Sequence, residues 1–81
     1  MDVIALHIVS PERTLVNQAV SAVTLPGTLA PFEVLKDHAA LISSLDRGDI
    51  VYVSEGREER LPIVSGFVEV HDNQVNACVE V

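Results

Sequence analysis

The stretch Thr24–Leu45, TLPGTLAPFEVLKDHAALISSL, decides how the rest of the chain is read. Pro26 presets φ for the second position of a turn, and Gly27 offers the positive φ that a type II turn takes next, so a sharp reversal is expected at Pro26-Gly27. Phe32-Glu33-Val34-Leu35 then reads as a short strand and Lys36-Asp37 as a polar turn. His38-Ala39-Ala40-Leu41-Ile42 is an apolar run with one titratable residue at its corner. His38 to Leu45 tolerates helix, but a helix that short is marginal on its own.

Working outward, the same strand-and-turn grammar holds on both sides. In Val3–Val9, Ile4, Leu6 and Ile8 share one face while Ala5, His7 and Val9 share the other, the period of two that a strand requires. Ser10-Pro11-Glu12-Arg13 stops it, because proline has no N–H to give a ladder. A short strand Thr14–Asn17 and a longer one Gln18–Leu25 are expected next, the second with Ser21, Val23 and Leu25 on one face and Val20, Ala22 and Thr24 on the other. Beyond the central stretch, Asp46-Arg47-Gly48-Asp49 turns into the strand Ile50–Val53. Glu55-Gly56-Arg57-Glu58 then joins it to Arg60–Val64, where Pro62 marks an edge or a bulge. Ser65-Gly66 bends the chain, Phe67–His71 alternates, Asp72-Asn73-Gln74 turns, and Val75–Val81 returns. Short strands with a turn signal every few residues predict an all-β fold, a small β-sandwich or flattened barrel of about ten strands forming one domain over residues 1–81.

Composition agrees and removes several function classes. The 81 residues bury only about 60% of their unfolded surface at this size, so a partner surface would help stability. Apolar residues make up 48% with few aromatics, which hands the core to Val, Leu, Ile and Ala and favours strands. A net charge of −7, from five basic and twelve acidic residues, speaks against nucleic acid and anionic lipid and favours a basic partner. The single Cys78 forms no internal disulfide and is expected to be buried and inert. No apolar run approaches the ~20 residues of a membrane-spanning helix, and the first residues show neither a basic start nor a signal region, so any membrane link is expected to come through a partner.

The candidate sites are few. Thr28, Leu29, Ala30, Pro31 and Phe32 make an uncharged loop with apolar side chains, and composition leaves two readings open: an exposed contact patch, or a loop folded onto the core. His38 could be a base, a metal ligand or a hydrogen-bonding corner. A metal would need further ligands, yet His7 and His71 are distant in sequence and no cysteine is spaced for zinc, so no metal is expected. Ser10, Ser43, Ser44, Ser54 and Ser65 stand beside three histidines as candidates, but none is in a recognisable nucleophile frame, and no glycine cluster could cradle phosphate, so no catalytic residue and no cofactor are expected. Arg47-Gly48-Asp49 spells an adhesion tripeptide but reads as a turn, and the mixed charges Glu55–Arg60 read as a solvated hairpin that discourages edge pairing.

Thr24, Leu25, Pro26, Gly27, Phe32, Val34, Leu35, His38, Ala39 and Leu41 fall on the pattern T-L-P-G-x-x-G-x-F/L-x-V/I-L-P-x-H-A-P-L. Ile8-Val9-Ser10-Pro11-Glu12, Gly48 and Gly66-Phe67-Val68-Glu69-Val70 follow in order. In these pieces the chain resembles, over its whole length, the N-terminal domain of the epsilon subunit of the rotary F-type ATP synthase, called delta in mitochondria. It departs at Ala30 and Ala40, where a glycine and a proline are usual, at Lys36-Asp37, usually Pro-Gly or Pro-Asn, and at Ser65, usually glycine.

The resemblance implies a non-catalytic central-stalk subunit, monomeric when isolated, at the cytoplasmic face of a bacterial plasma membrane and attached to it only through partners. It implies contact with the gamma subunit through Ser10, His38, Ala39, Leu41, Ile42 and Ser43. It also implies contact with the membrane ring through Thr28, Leu29, Ala30, Pro31, Phe32 and Glu33, where Pro31 stands in place of an acid nearer the loop tip. The implied work is coupling proton-driven rotation to ATP synthesis. Relatives continue through an Ala-Asp link into two helices; the 81 residues hold no such C-terminal helical domain, and if they are the whole chain, neither a brake on hydrolysis nor ATP sensing is expected. The rival reading is a free-standing sandwich that binds a ligand or peptide through the same loop.

Overall fold

The computed structural model describes residues 3–81, and these form nine strands with no helix. They are β1 (Ile4–Val9), β2 (Thr14–Val20), β3 (Ala22–Leu25), β4 (Phe32–Val34) and β5 (Leu41–Leu45), then β6 (Gly48–Ser54), β7 (Arg57–Ile63), β8 (Ser65–His71) and β9 (Gln74–Glu80). Two sheets result, a five-stranded one in the order β2-β1-β9-β8-β5 and a four-stranded one in the order β4-β3-β6-β7. Pairing is antiparallel except between β1 and β9, which run parallel.

Alternation explains the core. Ile4, Leu6 and Ile8 of β1, Val68 and Val70 of β8, and Val75, Ala77 and Val79 of β9 are buried from the larger sheet. Val23 and Leu25 of β3, Val34 of β4, Ile50 of β6 and Ile63 of β7 meet them from the smaller one, with Phe32, Leu41, Tyr52 and Leu61 packed at the margin. Branched aliphatic side chains suit this half-buried pleat. The β6–β7 hairpin turns at Glu55-Gly56 (φ 53° and 75°) and the β8–β9 hairpin at Asp72-Asn73 (φ 49° and 59°). Two consecutive positive φ values are what a two-residue hairpin matched to strand twist requires.

Several expectations change. The break between the second and third strands falls at Ser21, not after Asn17, because the chain there leaves the larger sheet for the smaller one. That crossing resets the alternation, so Val20 and Val23 are both buried while Ser21 is exposed. The last crossing, from β7 back to the larger sheet, is at Val64, whose N–H donates to the Glu80 carbonyl at 2.7 Å; Ser65 and Gly66 already lie in β8. Residues 41–45 are strand, since their ladder with β8 outweighs local helix tolerance. Gly27 does not take a positive φ. Its N–H donates to the Leu25 carbonyl at 3.0 Å, a three-residue turn centred on Pro26. Pro62 lies in β7, an edge strand, as its missing N–H demands. Cys78 is half-buried, because it points out of β9 on the solvent face.

Candidate functional site

The loop after β3 answers the choice that composition left open by doing both. Leu29 is fully exposed, at 102%, and Ala30 and Pro31 are exposed beside it, whereas Phe32 turns down against the core. Glu33, the next residue along β4, points outward and pairs in the ladder with Thr24. The bend is tight. A Cβ on Gly27 would lie 2.6 Å from the Ala30 carbonyl oxygen and 2.9 Å from the Phe32 ring, so only glycine fits.

Thr28 ties this loop to the other sheet. Its N–H donates to the Ser44 carbonyl at 3.1 Å, its hydroxyl lies 2.8 Å from that of Ser44, and it donates to Asp46 Oδ1 at 3.2 Å. Asp46 N–H in turn donates to the Pro26 carbonyl at 2.9 Å, and Gly27 bridges Leu45.

The expected gamma-contact residues divide. Ile42 stands out from β5, 76% exposed, while Leu41 and Ser43 lie on the opposite, inward side of the same strand. His38 is half-buried at the corner before β5; its N–H donates to the Leu35 carbonyl at 3.2 Å and its Nδ1 to the Ala39 carbonyl at 2.7 Å. It is thus a hydrogen-bonding corner. Ala39 is exposed beside it. Ser10, across the sheet at the end of β1, is buried, and its hydroxyl donates to the Arg13 carbonyl at 3.3 Å. No three His, Cys, Asp or Glu side chains among the described residues gather as metal ligands.

The corner holding His38 has its own clamp. Asp37 sits at φ 65°, which its short polar side chain tolerates, in the place where the resembled pattern has glycine or asparagine. Its N–H donates to Asn73 Oδ1 at 2.6 Å, and Asn73 Nδ2 donates back to Asp37 Oδ1 at 3.2 Å. That bond from Asn73, then the bond from Lys36 and its charge, lowers the Asp37 pKa from its ordinary 3.8.

Between Ile42 and Ser10, the outward face of the larger sheet supplies residues that sequence reading passed over. Phe67 on β8 is 57% exposed and sits opposite Cys78, which sits opposite Val9. Ile42 pairs with Glu69, one diagonal step from Phe67. The result is an apolar row, Ile42–Phe67–Cys78–Val9, crossing the sheet from β5 to β1. An aromatic on the solvent phase of an alternating strand was the available signal. Glu69 and His71 border the row, 3.8 Å apart.

The family described as ATP synthase, Delta/Epsilon chain, beta-sandwich domain matches residues 3–81. The ATP synthase epsilon chain of Carboxydothermus hydrogenoformans is 42% identical over 74 residues, covering 91% of this chain and 55% of its own length. That of a Nitratiruptor species is 41% identical over 81 residues, covering 99% and 63%. The chain therefore spans a little over half the length of the curated relatives it matches. A chain in the cryo-EM structure of Euglena gracilis mitochondrial ATP synthase, OSCP/F1/c-ring, superposes with a TM-score of 0.88 at 24% identity, covering 95% of this chain and 50% of its own. One from the Tetrahymena thermophila mitochondrial central stalk and c-ring gives 0.81 at 18%, over 96% and 63%. At such identities these two share the fold alone. The match over residues 3–81 and the curated relatives together make this chain a member of the ATP synthase delta/epsilon chain β-sandwich domain family.

Proposed function

We propose that the chain works as the sandwich of an epsilon-type central-stalk subunit in an F-type ATP synthase, at the cytoplasmic face of the membrane that carries the ring. The outward face of the larger sheet, with the corner at His38 and Ala39, holds the gamma subunit, and the Thr28–Glu33 loop meets the membrane ring. The subunit performs no chemistry. It passes the torque of proton-driven rotation to the shaft, while ATP is made in the head built by other subunits.

The observation that carries this reading is the row Ile42–Phe67–Cys78–Val9, apolar surface with Ile42 and Phe67 exposed and Cys78 and Val9 half-buried, on a domain with a net charge of −7. Contiguous apolar surface rimmed by polar groups marks a contact face. Burial there supplies affinity, and the acidic domain steers a basic partner toward it. The two structures described as containing a central stalk or c-ring support the placement by shared fold. Titration of a purified gamma subunit from a related bacterial synthase with the chain, followed by calorimetry, tests it. Saturable one-to-one binding is expected, lost in the His38→Glu, Ile42→Asp variant; a folded native chain that ignores gamma would favour a free-standing binding module.

A further inference from the structure

We propose that Thr28 is a positioning residue that fixes the exposed loop tip, Leu29 to Pro31, to the strand carrying Ile42, so that the ring-facing loop and the gamma-facing sheet turn as one body. The inference rests on the stalk reading above.

The loop grows out of the smaller sheet, whereas Ile42 stands on β5, the edge strand of the larger one. Over most of their area the two sheets face each other through aliphatic side chains, and such contacts are non-directional. The joint at the loop is directional, as is the bond from Ser54 Oγ on β6 to the Ala19 carbonyl on β2 at 3.3 Å. Thr28 N–H holds the Ser44 carbonyl at 3.1 Å, and the Thr28 hydroxyl, donating to Asp46 at 3.2 Å, can accept from Ser44 at 2.8 Å. The Asp46 N–H bond to Pro26 and the Gly27–Leu45 bridge complete a strip running from residue 26 to 28 along residues 44 to 46. On its far side the loop has only β4, three residues long and paired with β3 alone. A sideways load on Leu29 therefore reaches β5 through the Thr28 strip. Ser44 lies two residues from Ile42 on the same outward face, so the load arrives directly beside the apolar row.

The same strip covers part of the free edge of β5, which an unprotected strand would otherwise offer to other chains. It thus has a structural use as well, and the test must separate the two. Thr28→Val keeps the shape and the backbone bond but removes the hydroxyl; Ser44→Ala removes the partner hydroxyl from the other side. Each is made in the chain and in the ATP synthase assembled with it.

With Thr28→Val, gamma affinity should stay within about twofold of native, since the outward face of the larger sheet is untouched. Exchange of the Thr28 amide should quicken by about fivefold, the loss of one ordinary hydrogen bond. In the assembled complex, protons pumped per ATP hydrolysed should fall while hydrolysis itself continues. Unchanged coupling, with or without faster exchange at Thr28, would overturn the positioning role. Failure of the native chain to bind gamma would also overturn it, and would place the fault in the stalk reading, because amide exchange reports on the strip independently of any partner.

Discussion

Asp37 and Asn73 grip each other across the corner that carries His38, Asp37 N–H on Asn73 Oδ1 at 2.6 Å and Asn73 Nδ2 on Asp37 Oδ1 at 3.2 Å. The pair joins the connection before β5 to the β8–β9 turn and holds Asp37 at φ 65°. Because Asn73 donates to the ionised carboxylate, the folded-state pKa lies below the ordinary 3.8. A depressed acid pKa gives stability that is present above about pH 4 and lost as pH falls through the folded value. Asn73→Ala should raise the Asp37 midpoint toward its ordinary value in a carboxyl NMR titration and reduce the acid-side slope that Asp37 adds to stability, leaving the part due to Lys36. An unmoved midpoint would mean the bond does not persist in solution.

Phe67 tests the part of the face that sequence reading missed. Phe67→Ser exposes no core and should change stability by no more than about 0.5 kcal/mol, while costing about 2 kcal/mol, roughly 30-fold, in gamma affinity if the aromatic is a central anchor. Calorimetry on both variants of the row, Phe67→Ser and Ile42→Asp, checks whether the losses fall on one surface.

The loop separates contact from packing within a few residues. Leu29→Ser touches nothing folded, so the unfolding midpoint should hold within about 0.5 kcal/mol. Phe32→Ala, beneath the same loop, should cost about 2–3 kcal/mol because its ring packs against the core. Equal effects in urea unfolding would contradict the division.

Gly66 is a backbone constraint inside β8. A Cβ there would lie 2.5 Å from the Cys78 carbonyl oxygen and 2.9 Å from the Val79 side chain. Gly66→Ala should therefore destabilise by about 1–3 kcal/mol through a forced shift of β9, and should weaken gamma binding as well, since Cys78 belongs to the apolar row. Urea unfolding read alongside the gamma titration checks both.

The strands were legible because their alternation is local. Ile4-Leu6-Ile8, Phe67 to His71 and Val75 to Val81 each state their buried face within a few residues, and Pro62 narrowed its strand to an edge or a bulge, of which the structure has the edge. The sheet crossings at Ser21 and Val64 were not legible, since a chain that changes sheets flips its buried face without any change in residue type. Gly27 misled for a related reason. Its smallness serves the approach of Ala30 and Phe32, which a local turn rule does not see. The clamps Thr28–Ser44 and Asp37–Asn73 join residues 16 and 36 positions apart and exist only once the sheets are packed. Of the proposed site, the loop and Ile42 were expected from the family pattern, whereas Phe67, Cys78 and Val9 became one row only through the β8–β9–β1 register.

The most direct measurement is amide hydrogen exchange along the whole chain, free and with saturating gamma subunit. The account predicts added protection in β5, in Phe67–Glu69 of β8 and around Val9 and Cys78, with the Leu29–Ala30 tip unchanged. Protection confined instead to Thr24, Val51 and Arg60, on the outward face of the smaller sheet, or no protection at all, would contradict it.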